Sequence, residues 1–181
     1  MNSAGAPDLG WLRALRRHQV VLAICNLAWE LLHMPLYTIW YKATWGEILF
    51  AALHCTGGDL LIGLSALTVA LLVAAKPAWP GRKFWQVAVL PVTGGLLYTG
   101  LSEWLNVMVR EAWSYSELMP TVPIAGFELG LSPVFQWTVV PTLAFAAVAA
   151  GDRSRQRPPA AGAERWTGHG IDVAQHTAER S

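Results

Sequence analysis

Glu30, His33, His54, Asp59 and Glu103 are acids and imidazoles embedded in long apolar runs, and they define the chemistry open to this chain. An acid beside a neutral imidazole can move protons. Two imidazoles with a carboxylate can ligate a metal ion, and two imidazoles facing each other across a bundle can hold a haem from both sides. A lone charged side chain at the centre of a membrane helix costs roughly 2.5–3.5 kcal/mol on insertion scales, so a group of them needs a reason. We read Glu30, Asp59 and Glu103 as candidate catalytic acids and bases, and His33 and His54 as candidate ligands of a metal or haem. The competing reading is interhelical hydrogen bonding that only glues helices together.

Helical geometry adds neighbours to this set. At about 100° per residue, Asn26, Glu30, His33 and Tyr37 fall on one stripe. Measured from His54, Gly58 lies at about 40°, Cys55 at about 100° and Asp59 at about 140°, while most of the leucines lie between about 220° and 340°. His54 and Asp59 are therefore two edges of a pocket wall rather than one tight pair. Gly95, Thr99, Ser102, Glu103, Asn106 and Arg110 share an arc of about 100°. Gln136 is the strong polar group of the last apolar run. Asn26, Tyr37, Cys55, Asn106, Arg110 and Gln136 are thus candidate ligand-binding residues beside the acids.

The elements that must position these groups are long apolar runs. Four of them, near residues 18–41, 47–75, 84–109 and 131–149, reach the roughly 20 residues that a helix needs to cross a bilayer. They predict an all-α integral membrane protein, a four-transmembrane-helix bundle spanning residues 17–150, whose polar faces turn inward. Residues 1–16 form a short basic N-terminus, and 110–130 an outer loop. The tail, 151–181, is rich in Arg, Pro, Ala and Gly without periodicity and reads as disordered and cytoplasmic; its His169 and His176 carry no role. Only 14% of residues are charged, against about 25% in an ordinary soluble domain. The net charge of +1, with no basic face, excludes nucleic acid as a partner. Cys25 and Cys55, inside apolar sequence, read as free thiols rather than a disulfide framework.

Charge asymmetry gives direction. Arg13, Arg16 and Arg17 precede the first run, Lys76, Arg82 and Lys83 fill the second connection, and Arg153, Arg155 and Arg157 follow the fourth. Cytoplasmic flanks collect Lys and Arg, so the expected topology is N-in/C-in, in a bacterial-type inner membrane. The first run holds Glu30 and His33 and lacks a small-residue cleavage pattern, so it reads as a retained span rather than a signal peptide. His33 and His54 then lie at matched depth, roughly 10–13 Å from the outer connection, with Glu30 and Asp59 a turn deeper. Trp113, Tyr115, Met119 and Phe127, among Pro120, Pro123, Gly126 and Gly130, suggest an outer loop folded back over the bundle mouth.

Three functions fit these residues. The first is binding of a metal ion, haem or small apolar ligand at an outward-facing intramembrane site, with Glu30, Asp59 or Glu103 completing a shell around the histidines. The second is acid/base catalysis on a lipid-like substrate. The third is a proton- or ion-coupled carrier, which four spans would build as a homo-oligomer, or a structural subunit of a membrane assembly.

Overall fold

Helix starts and stops follow local chemistry. The computed structural model describes residues 10–75 and 79–156. Helix α1, Gly10–His33, ends where Pro35 removes the backbone donor that would continue the ladder. The chain tightens into a 3-10 turn, Met34–Leu36, and Tyr37 is extended, with φ −115° and ψ 148°. A single turn, α2, Ile39–Lys42, leads to α3, Trp45–Ala70. Thr44 starts α3 with a capping box: its hydroxyl accepts the Glu47 amide, and the Glu47 carboxylate accepts the Thr44 amide. α3 runs into a π-type turn, Leu71–Ala75, and α4, Phe84–Trp104, into a second, Leu105–Val109. The strands β1, Thr121–Ile124, and β2, Phe127–Gly130, form an antiparallel hairpin before α5, Leu131–Gln156.

The chain is mostly helical, and four of its helices are long and apolar enough to cross a membrane. Helix α1 packs against α3 and α5, and α4 packs against the same two, so the four long helices close into a ring. Polarity is inverted relative to a water-soluble bundle. Leu32, Phe50, Leu61, Val73 and Leu97 are exposed, whereas Asn26, Glu30, His33, Glu103 and Gln136 are buried. That distribution suits a surface bathed in hydrocarbon.

Apolar packing seals the end at which α1 begins. Leu67, Ala70, Trp79, Val87, Ala88, Phe145 and Val148 form one cluster there. Arg17 donates to the Ala147 carbonyl at 3.3 Å, and its guanidinium fills the space that a Cβ at Gly151 would occupy. This explains one departure from the sequence reading: the last helix does not stop at residue 149 but continues to Gln156. The rest of the tail, residues 157–181, and the first nine residues lie outside the described residues. Two other departures occur at the opposite end. The first long helix stops at His33, short of residue 41, and the loop over 110–130 contains a β-hairpin. The hairpin turns through Ala125 and Gly126, with φ 51° and 84°, the positive values that a tight two-residue connection requires.

The seam between α4 and α5 offers a sharp packing test. The Trp137 indole lies in the space that a Cβ on Gly95 would fill, whereas Gly94 faces open space. Gly95→Ala is expected to destabilise the bundle by about 1–3 kcal/mol through overpacking. Gly94→Ala is expected to be neutral or slightly stabilising, because alanine favours the helix. Thermal unfolding of both variants in mild detergent checks the contrast.

Candidate functional site

Asn26, Glu30 and His33 recur on the inner face of α1, and Gln136 reaches them from α5. Its side-chain amide nitrogen donates toward Asn26 Oδ1 at 3.1 Å, Glu30 Oε1 at 2.8 Å and Asp59 Oδ2 at 2.9 Å. One amide thus ties α1, α3 and α5 together. Asp59 is also within hydrogen-bonding reach of Glu30 and of the Trp137 indole. An amide NH2 has two hydrogens, and three oxygens face it. One of the three oxygens is therefore left without a hydrogen from this amide.

The other oxygen of Glu30 meets His33 Nε2 at 3.0 Å, and His33 Nδ1 meets Ser132 Oγ at 3.0 Å. Trp29 Nε1 donates to the same Ser132 oxygen at 3.2 Å. The indole can only donate, so the Ser132 hydroxyl hydrogen is free to turn to His33 Nδ1. The tautomer that carries its hydrogen on Nε2 satisfies both contacts, accepting from Ser132 and donating to Glu30. A directed chain results, from Trp29 through Ser132 and His33 to Glu30, with every donor and acceptor in it used. Second-partner hydrogen bonds of this kind fix an imidazole's tautomer and orientation.

Glu103 sits apart from this network. It is buried on α4 and accepts the Tyr115 hydroxyl at 2.5 Å, and the Tyr115 oxygen accepts the Gly130 amide at 3.1 Å. Burial, followed by the Glu103 acceptor, pushes the Tyr115 hydroxyl well above the ordinary phenol range, so Tyr115 remains a donor at neutral pH. The segment that carries Tyr115 is fastened to the break after α1. Thr38 N donates to Ser114 O at 2.9 Å, Ser116 N to Leu36 O at 2.9 Å, and the Ser116 hydroxyl to Pro35 O at 2.9 Å. Tyr37 pairs with Tyr115 along the backbone, and its ring meets His33 edge-on and Tyr115 at a tilt.

These groups surround a cavity of about 730 Å³, within the ordinary range for small-molecule sites. Glu30, His33, Tyr37, His54, Cys55, Asp59, Glu103, Asn106, Arg110 and Gln136 all line it; Asn26 does not, and reaches it through Gln136. Their environments differ. His54 is exposed and stacks on Phe50, with ring centroids 5.7 Å apart. Asn106 donates back to Ser102 O at 2.8 Å within the π-type turn, and Arg110 is exposed at the rim. Cys55 and Cys25 are free thiols. Both ring nitrogens of His33 are engaged, and among the described residues no three His, Cys, Asp or Glu side chains are gathered to hold a metal ion.

Two groups outside the sequence-derived site also face the cavity. The Thr99 hydroxyl lines it and is buried without a hydrogen-bond partner among the described residues, and the buried Trp113 indole nitrogen lies within reach of the Glu103 carboxyl. Thr99 was visible on the polar arc of its helix; no local signal distinguishes Trp113 from an interfacial tryptophan. Ser132 and Trp29 were likewise hidden, because their role exists only across the α1–α5 seam. No family model, curated protein or solved structure matches this chain.

Proposed function

We propose that this is an inner-membrane protein that binds a small, largely apolar molecule in its central cavity and exchanges protons with it. Glu30 is the group that exchanges, with Asp59 sharing its proton. His33 is the relay behind it, and Ser132 and Trp29 hold the relay in one tautomer. Gln136 positions both acids. The observation that carries this reading is the closed hydrogen-bond chain ending on the Glu30–Asp59 carboxyl pair at the wall of the cavity. Interhelical hydrogen bonds in membranes average only about 0.6 kcal/mol each, too little to offset the roughly 2.5–3.5 kcal/mol that each intramembrane acid costs if it served only as glue. The engagement of both His33 nitrogens favours proton relay over metal or haem ligation. The basic flanks support an orientation with both termini cytoplasmic and the hairpin outside.

The test is the content of protein purified in mild detergent. Wild type is expected to carry a co-purifying organic molecule by mass spectrometry, with no stoichiometric metal and no haem absorption band. Gln136→Leu is expected to lose the molecule. A reporter fused to the C-terminus of the same proteins should read cytoplasmic. A bound metal or a haem spectrum that His33→Ala abolishes would replace this reading with a metal centre.

A further inference from the structure

The cavity is closed on three of its four helix seams. Met34 of the turn after α1 packs with Ile48 and Ala52 across the α1–α3 seam. His33 and Ser132 bond across α1–α5, and Gly95 receives Trp137 across α4–α5. The fourth seam, α3–α4, is closed at the basic end by Leu67 and Ala70 against Val87 and Ala88. Toward the hairpin its lips differ in kind. Phe50 (70% exposed) and His54 on α3, and Tyr98 (48% exposed) on α4, line the cavity and lie on the outer surface at once. Residues can do both only where the cavity opens between them. A slot thus runs into the flank of the bundle beside the exposed Leu53 and Leu101, in addition to the mouth at the hairpin end, where Ala43, Glu47, Arg110 and Ala112 line the cavity.

The wall inside the slot specifies what fits. Thr99, only 5% exposed, presents a buried hydroxyl without a partner among the described residues. Leaving such a group dry costs about 1–3 kcal/mol, so an occupant that offers it an oxygen is favoured. The cavity is lined by four carboxyl groups, Glu30, Glu47, Asp59 and Glu103, against one guanidinium, Arg110, at its exposed rim, which disfavours an anionic head. A volume of about 730 Å³ takes one drug-sized body and not both chains of a phospholipid. Resting on the proton-exchange reading above, we infer that the substrate is an uncharged membrane lipid with a single apolar body and a hydroxyl or carbonyl end. It is admitted sideways from the bilayer through the α3–α4 slot, and its oxygen is received by the Thr99 hydroxyl.

The experiment uses full-length protein in phosphatidylcholine nanodiscs with a long-chain primary alcohol carrying a diazirine beside its hydroxyl end. Saturable adducts are expected on α3 and α4 around His54, Tyr98 and Thr99, competed by excess unlabelled alcohol. Ser102→Trp, which fills the slot, should cut labelling at least ten-fold while leaving the unfolding temperature close to wild type. Leu97→Trp, on the outer face of the same helix, should leave labelling unchanged. Thr99→Val should shift the adducts without abolishing them. Saturable adducts at Ala43 and Ala112 that Ser102→Trp does not reduce would overturn the sideways path and leave the proton-exchange site standing. Absence of saturable labelling, in protein that still carries a co-purified molecule of another class, would overturn the lipid assignment. Absence of labelling in protein that carries no molecule at all would sink both.

Discussion

Gln136→Leu is expected to destabilise the folded bundle by about 2–5 kcal/mol, because the two hydrogens it loses leave buried oxygens that cost about 1–3 kcal/mol each when unsatisfied. The leucine is close in volume, so the loss is one of hydrogen bonds and not of packing. Asn26, Glu30 and Asp59 would keep their oxygens in an apolar interior without the donor they share. An unpaired buried acceptor loses its full solvation, which is a larger penalty than the net value of the bond it made. Adding Asp59→Asn to Gln136→Leu supplies a new amide donor beside Glu30 and removes one acid. The double variant is therefore expected to be more stable than Gln136→Leu alone. Denaturant unfolding from mixed micelles measures both. A loss below about 1 kcal/mol for Gln136→Leu would mean that the amide is incidental to the assembly.

Glu30→Gln is expected to leave stability nearly unchanged and to remove the chemistry. The new amide is isosteric, and its oxygen can still accept from Gln136. Its nitrogen must donate where the carboxylate accepted, so His33 Nε2 becomes an acceptor and Nδ1 becomes the donor to Ser132. The tautomer reverses, and Ser132 must turn its hydrogen away from the imidazole. Since general acid–base catalysis contributes typically 10²–10⁴-fold, turnover should fall by about 100-fold or more, with ligand still bound. The nitrogen NMR shifts of His33 give a second readout: Nε2 protonated in wild type, Nδ1 protonated in the variant. An unchanged tautomer would break the proposed chain at His33.

How far the sequence leads toward this arrangement depends on the range of each interaction. The four long helices are legible because span length and hydropathy are properties of each run alone. The inner stripe of Asn26, Glu30 and His33 is legible because helical periodicity needs no neighbour. The same wheel separates His54 from Asp59, and the two do part: His54 is exposed on Phe50, while Asp59 turns in to Gln136. What depends on the depth and rotation of one helix against another was not legible. Ser132 and Trp29 acquire their meaning from His33, roughly a hundred residues away in the chain in the case of Ser132. The hairpin end is similar. Pro35 announces the end of α1, but Tyr37 and Tyr115 pair only after the loop has folded back. The π-type turn at Leu105–Val109 carries no composition signal, and it decides where Asn106 and Arg110 stand on the rim.

The central claim is that the Glu30–Asp59 pair exchanges protons with a molecule held in the membrane. It is tested most directly by incubating protein in D2O with the molecule it co-purifies and analysing that molecule by mass spectrometry for carbon-bound deuterium. Wild type is expected to incorporate deuterium with turnover, and Glu30→Gln to bind the same molecule and return it at least 100-fold more slowly labelled. A molecule that binds wild type at full occupancy and leaves it unlabelled would contradict the account.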